Sequence, residues 1–143
     1  MCFKKTVQVV DAKPEITFYE VDGDTVRKEL LALGLQFLYQ LDTTYYYTTV
    51  WGWEQAVAWV RKTYKFPKYT DQKFDCDDFA ILMKGLISSE FGLSTCAFII
   101  GNEGRHAFNL CRVGTEFPAT EWKMLEPQTG EWRTNYTCQK CLL

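Results

Sequence analysis

The sequence is short of histidine, of long apolar runs and of excess charge. One histidine occurs in 143 residues, so any site that needs several imidazoles, as a polyhistidine metal centre does, is excluded. No window approaches the roughly 18 uninterrupted apolar residues of a spanning helix. The start, "MCFKKTVQVVDAKPEI", is basic but lacks the apolar stretch of a signal peptide, and the expected location is therefore the cytoplasm, or a host cytoplasm were the chain viral. A net charge of −2 leaves no electrostatic footprint of a nucleic-acid binder. Low-complexity tracts, long linkers and internal repeats are also missing, which leaves one domain over residues 1–143 as the simplest organisation.

What is present fits a packed globular chain, since hydrophobic residues make up 47% and aromatics 16%. In a reducing compartment the six cysteines (Cys2, Cys76, Cys96, Cys111, Cys138 and Cys141) read as free thiols, ligands or a nucleophile rather than a disulfide framework. The C-terminal "CQKCLL" supplies half of a zinc site in Cys138 and Cys141. Cys2 could join them only if the chain ends meet, so two unliganded thiols are the expectation and no metal or other cofactor is called for. A metal at Asp75, Asp77, His106 and Glu126 is disfavoured by the soft thiol among hard ligands.

The chain changes character near its middle. Val26, Leu30, Leu33, Phe37 and Leu41 fall at helical spacing behind a capping Asp24. A second helix spans about 52–65 and ends before Pro67, and a third runs from the "FDCDDFAILMKGL" stretch to a stop at Gly92. Beyond it, "STCAFIIG", "RHAFNLCRVG", "EWKMLEP" and "GEWRTNY" alternate like antiparallel strands, and "EITFYEV" near the start reads as a further strand. Helices followed by strands predict an α+β domain: an N-terminal helical part over 1–69 and a core over 70–135, with the Cys76 helix packed on an antiparallel sheet. Tyr45, Tyr46 and Tyr47 cannot all face inward in an extended segment, because neighbours alternate.

Three residues could act together. Cys76 opens a helix, whose N-terminus favours a thiolate, and Asp75, Asp77 and Asp78 oppose it by like charge. His106 opens a strand behind a glycine-flanked turn, and Glu126 closes a strand just before Pro127. An imidazole can take the thiol proton, and a carboxylate can fix the imidazole tautomer. Tyr69, Gln72, Asp77 and Asp78 are candidates for oxyanion or substrate contacts. Each residue alone also has an ordinary structural reading: a buried thiol, a satisfied histidine, a surface strand end.

The strings "DCDDFA", "GRHAFNL" and "LEPQTGEW" resemble the three motifs of the transglutaminase-like superfamily and are similar to those of short transglutaminase-like bacteriophage proteins. The resemblance implies a papain-like fold with Cys76 as nucleophile, His106 as general base and acid, and Glu126 as orienting carboxylate. It implies a cysteine protease, amidase or transglutaminase acting by acyl transfer on a peptide or protein substrate. The alternative is a non-catalytic binding or viral assembly protein on the same scaffold.

Overall fold

The helix at Cys76 forms because its first turn is capped and its apolar residues repeat at helical spacing. The Asp78 carboxylate accepts from the backbone N–H of Asp75 at 3.2 Å, and Phe79, Ala80, Met83 and Ile87 are buried along one face. Gly92 then takes the left-handed conformation (φ 66°) that ends the helix. The computed structural model describes residues 11–114 and 121–143. Their elements in chain order are β1 (Phe18–Asp22), α1 (Gly23–Ala32), β2 (Phe37–Tyr39), β3 (Thr44–Thr48), α2 (Val50–Tyr64), α3 (Cys76–Phe91), β4 (Cys96–Gly101), β5 (His106–Val113), β6 (Glu121–Glu126), β7 (Glu131–Arg133) and β8 (Cys138–Leu142). A 3₁₀ turn at Asn102–Gly104 joins β4 to β5.

The strands make one sheet with β5 at its centre. On one edge β5 pairs antiparallel with β6, which continues into β7. On the other it pairs antiparallel with β4, and at Val113 in parallel with Thr48 of β3. Outward from β4 come β8, antiparallel, and β2, parallel to β8. The sheet is therefore mixed, where the sequence predicts an antiparallel one, because chain segments far from the core strands return to add its edges.

The N-terminal part is not purely helical either. Tyr45 is fully buried and the tyrosine run forms β3. The first helix stops at Ala32, short of Phe37 and Leu41, as Gly34 enters the left-handed region at φ 83°.

Alternation along β5 builds a core on each side of the sheet. Phe108 and Leu110 join Val26, Leu30 and Ile99 on the α1 side. Cys111 and Val113 join Trp53, Val60, Met83 and Ile87 on the side of α2 and α3. Asn109 fastens that second side: buried, it donates from Nδ2 to the carbonyls of Ala80 at 2.9 Å and Ala97 at 3.2 Å. No helix among the described residues is long and apolar enough to cross a membrane.

Candidate functional site

His106 begins β5 because the turn before it is tightly folded. Asn102, Glu103 and Gly104 all have positive φ, and the Asn102 side chain accepts from the Thr137 backbone N–H at 2.9 Å. Gly101 lets β8 approach closely there, since a Cβ on it would stand 1.8 Å from the Thr137 carbonyl oxygen. The imidazole stacks on Phe108 at 6.0 Å and meets Tyr136 edge-on at 4.8 Å between centroids.

Glu126 lies across from it. Nε2 of His106 is 2.8 Å from Oε2 of Glu126, and the Tyr136 hydroxyl donates to the same oxygen at 2.9 Å. The other oxygen accepts from the Gln128 backbone N–H at 3.1 Å. Three donors surround a carboxylate only 5% exposed, and an Nε2–H donated to it leaves Nδ1 of His106 as an acceptor. Burial, and then the bond to Glu126, pushes the Tyr136 hydroxyl above its ordinary value. Tyr136 escapes sequence reasoning because a tyrosine ending "GEWRTNY" looks like any strand aromatic; only the fold brings it over His106.

Cys76 ends the buried row of Ala80, Met83 and Ile87 and is itself half-buried. The Asn109–Ala80 bond sets α3 beside β5 with both N-terminal ends at the same edge, so Cys76 and His106 share that end of the molecule. They are not bonded. The Cys76 thiol makes no hydrogen bond among the described residues. Its near neighbours are the carboxylates of Asp75 and Asp77, all three ligand atoms lying within 4.8 Å of one another. A hydrogen bond to Asp75, with burial adding to it, raises the Asp77 carboxyl above its usual range.

The other expected residues serve the chain locally. Asp78 caps the helix. Gln72 sits at φ 60° with its backbone N–H directed at Asp75 Oδ2 at 3.2 Å. Tyr69 is 48% exposed, its hydroxyl raised by local desolvation and then by the surrounding acids Asp71 and Asp75. Cys138 and Cys141 lie in β8 against the α1-side core, where burial raises both thiols. Cys2 lies outside the described residues.

Comparison with known proteins overturns the family expected from the three strings. Residues 24–143 match the model of the ricin-type beta-trefoil lectin C-terminal domain, while no curated protein matches. Two similar solved structures are a PSL1a-E64 complex (TM-score 0.70, 24% identity) and the Polyporus squamosus lectin bound to the human-type influenza-binding epitope Neu5Acα2-6Galβ1-4GlcNAc (TM-score 0.69, 23% identity). Each alignment covers 87% of this chain but only 51% and 49% of the other, so the chain spans about half the length of these relatives.

The transglutaminase-like, papain-like assignment accordingly gives way, and with it the cysteine protease, amidase, hydrolase and transglutaminase activities, the peptide substrate and the bacteriophage or viral origin. The physical reason is that each string answers a local need. "DCDD" caps α3, "GRHAF" leaves a left-handed turn, and "LEPQTGEW" closes the β6–β7 hairpin through Gly130 N–H to Glu126 C=O at 2.7 Å. Such solutions recur on unrelated proteins; a match over 120 consecutive residues, 24 to 143, does not rest on them. The chain belongs to the ricin-type beta-trefoil lectin C-terminal domain family.

Proposed function

We propose that this chain works in carbohydrate recognition, as one domain over residues 1–143 of a lectin-type protein. The family match carries the reading, and the sialylated trisaccharide named for the Polyporus squamosus lectin supports it. An immobilised glycan panel that includes Neu5Acα2-6Galβ1-4GlcNAc tests it. The expected result is saturable retention of the purified chain by a subset of glycans, competed by the free sugar. Uniform absence of retention would overturn the reading. A reducing, cytoplasmic setting is in keeping with buried Cys96 and Cys111, free thiols across the β4–β5 pair, the Cys111 thiol donating to the Cys96 sulfur at 4.0 Å.

A second reading is favoured by the 2.8 Å His106–Glu126 contact. In it Cys76, His106 and Glu126, gathered at one end of the molecule, form a thiol–imidazole–carboxylate site that captures electrophiles. A thiol-reactive epoxide supplies the probe. The Cys76 sulfur bonds to an epoxide carbon, the C–O bond opens, and the imidazolium returns the proton to the alkoxide. A mass adduct on Cys76, formed much more slowly in His106→Ala, is expected; an unmodified Cys76 in the native protein sinks this reading.

A further inference from the structure

The cysteines of the described residues are all free thiols, but they are not equivalent. Cys138 and Cys141, the pair closest in sequence, stand in extended β8, where three residues of strand hold their Cα atoms about 10 Å apart. A disulfide needs less than about 7 Å, so this C-x-x-C stretch cannot close without breaking its own strand. Cys76 has carboxylates rather than a thiol for near neighbours. Cys96 and Cys111 are 15 positions apart in the chain yet directly opposite in the β4–β5 register, which turns both side chains to one face. There the Cys111 thiol donates to the Cys96 sulfur at 4.0 Å.

The surroundings of this pair suit one kind of chemistry. Directly opposed residues of antiparallel strands hold their Cβ atoms about 4.5–5.5 Å apart, against roughly 3.8 Å across a disulfide. Closing the gap takes only a small twist of two strands that are already paired. Burial, and then the bond to Cys96, pushes the Cys111 thiol well above its ordinary value, so Cys111 keeps its proton and donates it. That donation favours a thiolate on Cys96, and the Lys84 ammonium, held at the Cys96 carbonyl oxygen at 3.3 Å, adds positive charge close by. Cys96 is therefore the sulfur that reacts first. Both residues are fully buried among Trp53, Met83, Ile87 and Leu125, which shuts out a bulky reagent. A peroxide is close to water in size and enters with the local openings of a strand end, and Cys96 is the first residue of β4.

We infer that Cys96 and Cys111 are a redox modification site, closed by a peroxide to a disulfide that locks the central strand pair. The Cys96 thiolate attacks one peroxide oxygen, the O–O bond breaks, and the departing hydroxide takes up the Cys96 proton as water. The Cys111 sulfur then attacks the sulfenic sulfur of Cys96, the S–O bond breaks, and the leaving hydroxide takes the Cys111 proton as a second water. Two electrons pass from the two sulfurs to the peroxide. The new bond closes residues 96–111 into a covalent loop that carries the Asn102–Gly104 turn and His106, and it constrains the unfolded chain. A thiol reductant reverses it, so the pair is free in a reducing setting and linked under peroxide.

The test exposes the folded chain to hydrogen peroxide, alkylates the remaining thiols after unfolding, and maps the cysteines by mass spectrometry. The expected product has lost two hydrogens, carries the Cys96 and Cys111 peptides joined, unfolds at a higher urea midpoint than the reduced chain, and returns to it with dithiothreitol. Glutathione disulfide, too bulky for a buried pair, should form the link at least about tenfold more slowly. Cys96→Ala and Cys111→Ala should each abolish the link, and mapping of the wild type decides the matter should either variant fail to fold. Both thiols still open to alkylation after peroxide, a link that forms only in urea, or one that joins Cys138 to Cys141 would overturn the site. A Cys96–Cys111 link that leaves the urea midpoint unchanged would overturn the lock.

Discussion

The Arg112 guanidinium and the Glu29 carboxylate meet side by side, Nε to Oε2 at 2.8 Å and Nη2 to Oε1 at 2.7 Å, and so tie α1 to the central strand. The Trp122 indole donates to Glu29 at 2.9 Å, and the Tyr47 ring lies 4.3 Å from the guanidinium. The Arg112 side chain is 5% exposed and that of Glu29 28%. Glu29→Gln keeps the shape but leaves the more deeply buried cation short of its counter-charge. Because Glu29 retains some solvent, the expected loss is about 2 kcal/mol, below the range for breaking a fully buried pair, read from urea unfolding at neutral pH.

The same pair sets an acid limit. Burial works to raise the Glu29 carboxyl, but the bonds from Arg112 and Trp122 outweigh it and hold the group below its ordinary value of 4.5. The unfolded chain then takes up the proton first as pH falls. The contribution is complete above about pH 4.5 and disappears as pH drops through the lower folded value. Unfolding free energy measured from pH 6 to 3 should fall in the wild type more steeply than in Glu29→Gln, and parallel curves would show that the pair carries no such linkage.

Asn109 is the joint between the sheet and α3, through its two amide bonds to Ala80 and Ala97. Asn109→Ala strips two carbonyls of their partner and opens a small void, an expected cost of about 2–3 kcal/mol. Asn109→Asp should cost more than alanine, because a carboxylate would face the Ala80 and Ala97 carbonyl oxygens with no proton to donate. Equal melting temperatures for the two variants would contradict the bonding described for this side chain.

Gly101→Ala tests how the site is held. The added methyl meets the Thr137 carbonyl, which belongs to backbone, so β8 must move and carry Tyr136 with it. A loss of about 1–3 kcal/mol is expected, together with a shift of the His106 ring resonances in NMR. A destabilised variant whose imidazole resonances stay in place would show that Tyr136 does not position the ring.

Much of the local structure was legible in the sequence. The capping acids, the apolar row and Gly92 define α3 without reference to anything distant, and β4 to β7 show the alternation of strands. The His106–Glu126 contact follows from two strands that pair with each other. Edges and family were not legible in the same way. β2 and β8 are short, and their pairing depends on Leu38 meeting Cys141 across about a hundred residues of chain, which no local pattern encodes. The three strings that suggested a transglutaminase-like protein are real turn and cap solutions, but they constrain about twenty residues and leave the identity of the whole unspecified. The absence of a Cys76–imidazole bond was hidden for a similar reason. Spacing places both residues at one end of the molecule, and whether thiol and imidazole meet there depends on how α3 sits against β5, which no local pattern encodes.

Cys141 sets an alkaline limit complementary to that of Glu29. It is 2% exposed in the α1-side core, and burial pushes its thiol from an ordinary value of 9.0 to about 12. Here the sign reverses. The unfolded chain releases the proton first, so stability is unaffected below about pH 9 and declines as pH rises between the two values. The slope from one such group is about 1.4 kcal/mol per pH unit. Cys141→Ala removes that group and should flatten the decline between pH 9 and 11 at the cost of a lower plateau from the lost packing. Site-resolved alkylation supplies an independent check: at pH 8.5 Cys141 should stay unlabelled in the folded chain and label at once in urea, while half-buried Cys76 labels in both. Rapid native labelling of Cys141 would mean that the β8 edge opens readily and that its thiol does not reside in the core.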